Sequence, residues 1–375
     1  MRILLTNHTL ATRAGSGLYI RDVACSLLKR GHTPIVYSTK LGAVAEDLRA
    51  ATVPVIDRLD KLATPPDVIH GQHHVQTMTA LLHFSGVPAV FFCHGWLPWE
   101  ETPPQFPRIL RYAAVDETCR DRLVYEQGIP TERVRVILNF VDLKRFLPRR
   151  PLPARPSRAL VFSNSARDQG YAHAVREACR RRGIAVDVLG LSAGTPTEHP
   201  EHLLGQYDLI FAKARCALEA LAVGTAVVLC DEAGLGPMVT TSDFDHLRRL
   251  NFGIRTLRHR VDAEAVDREI ARFDPLDAAE VTRRLRATAG MEAAVDDIAA
   301  LYEEVLAEHK ATVMTDAGAE GRAAAAYLRG LADAVDARVR AGSMVFRLQK
   351  RVRRLPLVGA LAGYIARRAA TSSKP

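Results

Sequence analysis

Twice along this chain, short apolar runs of β type alternate with segments of helical period, and a proline- and arginine-rich stretch separates the two series. No other feature constrains the fold as strongly, because parallel strands need a covering helix to carry the chain from one to the next. The first series opens with a buried strand at 2–6, a loop over 7–17 and an amphipathic helix over 18–30. Gly31-His32 turns the chain into a strand at 34–37, and strand patterns follow at 53–56, 68–70, 89–93, 112–115 and 134–138. Residues 147–158 hold four prolines and four arginines, which suits an extended linker and no regular element. The second series has strands at 159–163, 185–189, 209–212 and 226–230, helices at 172–182 and 216–223, and a helix around 292–308 expected to close this half. The expected α/β plan is a domain over 1–146, a linker over 147–158, a second domain over 159–310 and a helical basic tail over 311–375. A length of 375 residues agrees with two domains. In such open sheets a ligand sits in the crevice beyond the strand ends.

Several classes are set aside by composition. Cys25, Cys93, Cys119, Cys179, Cys216 and Cys230 stand singly, without a zinc-like spacing, and are expected as buried free thiols in a reducing compartment. The first residues lack the long apolar region and small-residue cleavage site of a signal peptide, and no run of 18 apolar residues occurs. A cytoplasmic location is therefore expected. Of the net charge of +9, most sits in 343–375, where Arg347, Lys350, Arg351, Arg353, Arg354, Arg367, Arg368 and Lys374 face no acid. Apolar residues alternate with these charges, so the tail is expected to bind an anionic membrane surface in plane, at the inner face of the cytoplasmic membrane. A solvated tail is the plainer alternative. Without an aromatic platform or a recognised module, nucleic acid is not an expected partner.

The stretch from Asp208 to Asp231 reads as strand, short basic loop, helix, glycine stop and strand. A helix start offers free backbone N–H groups and the positive end of the dipole, which suits a diphosphate. Lys213 and Arg215 add charge there, and Glu219, one turn on, is placed to accept from a ribose diol. The same residues also read as solvated loop charges and a dipole partner. Gly15 and Gly17, between strand and helix, allow close approach of backbone to a ligand. Gly234 and Gly236 follow the strand ending at Cys230 and serve either a donor pocket or a turn. His94 ends an apolar strand before Gly95, either as a site histidine able to accept a proton or as a hydrogen-bonded structural one. His70, His73 and His74 invite a metal, but no carboxylate or cysteine at useful spacing completes a ligand set, so no metal is expected.

Glu219-Ala-Leu-Ala-Val-Gly-Thr-Ala-Val-Val resembles the E-A-x-A-x-G-x-P-V-V signature of retaining family 4 glycosyltransferases of the GT-B fold. Asn139-Phe-Val-Asp-Leu-Lys-Arg-Phe146 is similar to that family's N-G-V-D-x-x-x-F. Gly15-Ser-Gly17, Arg30-Gly31-His32, Asp67-Val-Ile-His70 and Cys93-His-Gly95 fall in family order. The resemblance implies two Rossmann-like domains facing across a cleft, with Glu219 on the donor ribose and His94 on the donor sugar. It implies a hexosyl-type transferase with no cofactor beyond a UDP- or GDP-linked donor. The acceptor would be a glycan or lipid-linked hydroxyl, in cell-surface glycan or glycolipid synthesis. The chain departs from the pattern in three places. Phe211 stands eight residues before Glu219, where the family has the first glutamate of a pair; Thr225-Ala226 replaces x-Pro; and Ser163–Gly170 offers only Arg167 for the family's basic residues. Two other readings stay open: a nucleotide-sugar epimerase on the same fold, and a non-catalytic nucleotide-sugar-binding subunit.

Overall fold

The computed structural model describes residues 1–167, 170–311 and 317–352, with backbone alone for 317 and 341–352. The chain divides into two compact units, residues 1–104 with 108–314 and residues 105–107 with 315–375. In the larger unit a first domain runs β1 (Arg2–Thr6), α1 (Gly15–Lys29), β2 (Thr33–Tyr37), α2 (Ala43–Ala50), β3 (Val55–Ile56) and β4 (Val68–Gln72). It continues through α3 (His74–His83), β5 (Ala89–Cys93), β6 (Ile109–Ala114), α4 (Glu117–Asp121) and β7 (Val134–Val136). The seven strands form one parallel sheet in the order β3-β2-β1-β4-β5-β6-β7. Ile3, Leu4, Leu5 and the whole of β5 are buried, as expected for strands covered on both faces.

Residues 147–157 carry no regular element, and Arg149 N–H donates to Val223 O to lead the chain into the second domain. There β8 (Arg158–Phe162), α5 (Tyr171–Arg181), β9 (Ala185–Leu189), β10 (Leu209–Ala212), α6 (Ala214–Val223), β11 (Ala226–Asp231) and β12 (Gly234–Met238) follow. Their sheet runs β12-β11-β10-β8-β9, with β12 alone antiparallel. Gly224, at φ +98°, ends α6 in the left-handed conformation that glycine adopts without penalty. Three further helices, α7 (Phe244–Arg249), α8 (Ala263–Ile270) and α9 (Pro275–Thr288), complete the domain. Asp262 and Asp274 cap α8 and α9 through their side chains.

The helix expected to close the second half goes elsewhere. In α10 (Met291–Ala311), Met291, Val295, Ile298, Leu301, Tyr302 and Val305 are buried in one core with Ile3, Leu5, Ile20 and Val90 of the first domain. The second domain as expected over 159–310 is therefore corrected: its last helix crosses back and packs on the first sheet. The physical reason is its apolar face, buried in that shared core, to which Tyr302 OH adds a hydrogen bond with the fully buried His70 Nδ1.

In the smaller unit, α11 (Ala317–Val352) is a long helix. Of the basic segment 343–375, residues 353–375 and the side chains before them lie outside the described residues, and the membrane-surface expectation lies with them. Among the described residues no helix is long and apolar enough to cross a membrane.

Tyr302→Phe removes the partner of the His70 ring nitrogen inside the core. We expect it to lower unfolding stability by about 1–3 kcal/mol in a denaturant titration. An unchanged midpoint and slope would show that α10 does not depend on this contact.

Candidate functional site

Between the two domains of the larger unit lies a cavity of about 570 Å³. Its first-domain wall is made by loops at the carboxyl ends of strands: His8 and Thr9 after β1, His73 after β4, His94–Pro98 after β5, and Asp116 after β6. Gly15, Ser16 and Tyr19 of α1 add to it. The second-domain wall holds Lys213, Ala214 and Arg215 at the start of α6, with Asn251, Gly253 and Ile254. Two Rossmann-like sheets thus present their strand ends to one space, where such folds bind ligands.

Backbone strain gathers here. Of the non-glycine residues with positive φ, His73 (+63°), Ala214 (+48°) and Asn251 (+53°) line the cavity, and Phe252 (+50°) follows Asn251. Left-handed backbone at such residues costs about 1–3 kcal/mol each, and it persists where the surroundings fix it, most often at functional sites.

On the first-domain wall, His94 N–H donates to Glu101 Oε2 at 2.9 Å, and the His94 ring meets the Tyr19 ring edge-on at 4.3 Å. Its Nε2 is buried without a hydrogen-bond partner among the described residues. Burial brings the His94 basicity down to about 4, against an opposing pull from the Glu101 charge. The ring is therefore neutral at physiological pH. His73 Nδ1 accepts the His8 N–H at 2.8 Å, which leaves its proton on Nε2, 3.4 Å from Glu101 Oε1. Burial pushes the Glu101 carboxyl up, but the His73 hydrogen bond, the nearby imidazoles and the His94 amide bring it below the usual carboxylate range.

The second-domain wall is not bare positive charge. Lys213 Nζ lies 3.1 Å from Asp231 Oδ2. Arg215 Nη2 lies 2.6 Å from Asp22 Oδ2 of α1, and its Nε lies 2.8 Å from Glu219 Oε1. Burial works against the Arg215 charge, and the two carboxylates more than restore it. Burial raises the Asp22 carboxyl, yet Arg215 and Arg21 outweigh it and hold the group below the usual range. For Glu219 burial wins, and its carboxyl is pushed above the usual range. Asp22 is thus the firmer counter-ion of Arg215, and the pair bridges the domains. Arg255 with Asp121 at 2.6 Å, and Arg248 Nη2 donating to Asn139 O at 2.7 Å, add to the bridge.

Not every expected residue reaches the cavity. Gly15, His94, Lys213 and Arg215 line it. Glu219 is buried behind Arg215 and is not among the lining residues. Gly17 is buried in α1 and is not among the lining residues; an added Cβ would sit 3.5 Å from Val44 Cγ2, an ordinary contact. Gly234 and Gly236 are not among the lining residues. They belong to β12, where a Cβ would lie 2.9 Å from His259 O at Gly234 and 2.8 Å from Thr256 O at Gly236. Close packing against the following segment requires glycine there. Phe211 is fully buried in β10, and Arg167 is exposed.

The three expected histidines do not converge. His70 stacks on Phe92 at 3.7 Å, His73 faces Glu101, and His74 meets Trp99 edge-on. The group of His199, Glu201 and His202 lies outside the cavity, and Arg145 holds Glu201 Oε2 at 2.7 Å.

Residues 13–145 match the sequence profile of Glycosyltransferase Family 4. No curated protein matches the chain in sequence. Solved structures do match in fold. Anabaena HepE, in complex with UDP and glucose, is 14% identical with a TM-score of 0.59 and covers 81% of this chain and 99% of its own. Sucrose-phosphate synthase from Thermosynechococcus elongatus is 14% identical at 0.56, over 82% and 99%. WaaG, a glycosyltransferase involved in lipopolysaccharide biosynthesis, is 12% identical at 0.52, over 80% and 99%. The chain is family 4-like, and its fold is GT-B.

In this family 4-like chain the profile covers the first domain, while the fold likeness extends over both. Sequence reasoning missed Glu101, Asp22 and Asn251. Glu101 hides in Glu100-Glu101-Thr102 before two prolines, a pattern that reads as solvated loop, and Asp22 looks like a polar-face residue of α1.

The lowered basicity of His94 has a stability consequence. Its folded value lies near 4 and its ordinary value is 6.5. The contribution is full above pH 6.5 and is lost as pH falls toward 4, because the unfolded chain takes up the proton first. Unfolding free energy measured from pH 7 to 4.5 should therefore fall more steeply for the native protein than for His94→Gln. Equal slopes would show that His94 titrates normally.

Proposed function

We propose that the chain transfers a hexosyl group from a UDP- or GDP-linked donor to an acceptor hydroxyl. The observation that carries this reading is a single cavity with His94 on one wall and Lys213, Arg215 and the start of α6 on the other. A helix start with two cations suits the diphosphate, and positive groups there offset the charge that develops on the leaving nucleotide. The complex of HepE with UDP and glucose supports a nucleotide-sugar as the ligand class.

Donor binding on this reading is an exchange of ion pairs. Diphosphate oxygens take Arg215 from Asp22 and Lys213 from Asp231. Glu219, released from Arg215, then accepts hydrogen bonds from the ribose. Gly15, with open space where a Cβ would stand, leaves room for the donor beside α1. His94, neutral and with an unpartnered ring nitrogen, stands on the reacting side and is placed to accept a proton.

No metal is needed if these cations carry the diphosphate. Trp96, Leu97 and Pro98 make the first-domain rim partly apolar, and Leu97 is 70% exposed. That rim suits a glycan or lipid-linked acceptor in cell-surface glycan or glycolipid synthesis, and contact of 343–375 with the inner membrane face belongs to the same proposal.

Calorimetry with UDP and GDP tests the donor wall. Arg215→Ala should weaken binding of the preferred diphosphate about 10-fold or more, the range for a lost hydrogen bond to a charged group. Asp22→Asn should tighten it, because the competing carboxylate is gone, and EDTA should leave both results unchanged. Unaltered affinity in both variants would remove the donor wall from this account.

A further inference from the structure

Away from the cavity, the connection from β9 to β10 is built unlike the other strand connections of the second domain. Residues 190–208 hold three 3₁₀ turns, at Leu191–Ala193, Pro200–His202 and Leu204–Gln206, and no α-helix. Between 191 and 207, Leu204 alone is buried. A stretch that buries so little apolar surface needs polar ties to hold one conformation. Two arginines of the first domain supply some of them. Arg145 Nη2 donates to Glu198 O at 3.0 Å and to Glu201 Oε2 at 2.7 Å, and Arg13 pairs with the Glu198 carboxylate.

On the middle turn stand His199, Glu201 and His202, and one ligand atom from each lies within 4.8 Å of the other two. The two oxygens of Glu201 are divided between two tasks. Arg145 holds Oε2, while Oε1 faces both imidazoles, 3.1 Å from His199 Nδ1 and 4.0 Å from His202 Nε2. The Glu201 side chain is only 9% exposed, whereas both rings stand in solvent. Burial raises the Glu201 carboxyl, but its hydrogen bond to Arg145 and that cation's charge outweigh burial and bring it below the usual range. The carboxylate is therefore ionised at neutral pH, as a metal ligand must be.

Two imidazoles and one carboxylate form a donor set for a first-row transition ion. Zinc binds nitrogen and oxygen at about 2.0–2.2 Å in a tetrahedron, which sets neighbouring donors roughly 3.3 Å apart. His199 Nδ1 and Glu201 Oε1 already stand near that spacing, and the exposed His202 ring has a short distance to close. Magnesium and calcium call for more oxygens than the single carboxylate of this group offers. Arg145, bound to the far oxygen, is the outer partner that orients the ligating one.

We propose that His199, Glu201 and His202 bind a zinc-type transition ion, with solvent completing its coordination, and that the ion clips the β9–β10 connection. None of the three lines the cavity, so the ion takes no part in transfer, and the inference does not rest on the sugar-transfer reading. The ion ties the turn at the place where Arg13 and Arg145 of the first domain meet it. The alternative is a plain surface contact, in which the His199 ring does no more than hydrogen-bond Glu201.

The test uses the full chain without an affinity tag, freed of metal by dialysis against a chelator and returned to chelator-free buffer. Zinc is titrated in competition with a chromophoric chelator, and Tm is followed in parallel. One equivalent per chain should bind and raise the Tm, because the ion stabilises only the folded state that assembles its ligands. Loss of an outer partner alone costs about 10–100-fold in metal affinity, so His199→Ala and His202→Ala should each weaken zinc at least about 10-fold and cancel the Tm rise. Both side chains are exposed, so the metal-free Tm of each variant should match the native value. Magnesium and calcium should leave the Tm unchanged. Zinc uptake that persists undiminished in the double variant places the ion elsewhere and overturns the proposal. So does a native chain that takes no zinc from the chelator and shows no Tm shift, which leaves the plain surface contact.

Discussion

The buried face of α10 is the constraint on which the arrangement of the larger unit depends. After the second domain is complete, this helix returns and places Met291, Val295, Ile298, Leu301, Tyr302 and Val305 in the core of the first. Burying side chains of this kind contributes roughly 1.5–3 kcal/mol each before the entropy of ordering is subtracted. The chain therefore passes between the domains twice, through the stretch before β8 and again before α10. With Val141 paired to Gly290, the two passages lie side by side. Such a doubled connection keeps the strand ends of both sheets turned toward one cavity, and every residue of the candidate site is placed by that orientation.

Electrostatics divides the cavity into two kinds of wall. On the second-domain side the cations are present but engaged, Lys213 by Asp231 and Arg215 by Asp22. An engaged cation costs less to bury than a free one, and an incoming anion of higher charge can replace its partner. Because Asp22 belongs to α1 of the first domain, the same exchange alters a bridge between the domains. On the first-domain side the arrangement is inverted. The carboxylate of Glu101 is buried and held below the usual range, and burial keeps the neighbouring His94 ring neutral.

Much of this was legible in the sequence. Strand and helix periods predicted two α/β halves, because alternation of buried strands with amphipathic helices is a local signal. His94 and the Lys213–Arg215 pair were legible for the same reason: each stands at the end of an apolar strand, where such folds place their sites. Other features are tertiary. The destination of α10 cannot be read from its own periodicity, since an apolar stripe does not name the surface it covers. Gly234 and Gly236 looked like a pocket loop, but what makes them glycine is backbone of residues 256–259 less than 3 Å from where a side chain would begin. The partners of Glu101 appear only in the folded chain, where the His94 amide and the His73 ring meet its two oxygens.

Sugar transfer as the activity is tested most directly by mass spectrometry of the full-length protein incubated with a panel of UDP- and GDP-linked sugars, with and without glycan acceptors. The account predicts that one donor is consumed to its nucleoside diphosphate while an acceptor gains the mass of the sugar, with EDTA present as well as without it. Conversion of the donor to an isomer with no acceptor and no release of diphosphate would contradict it, as would a panel returned intact under every condition.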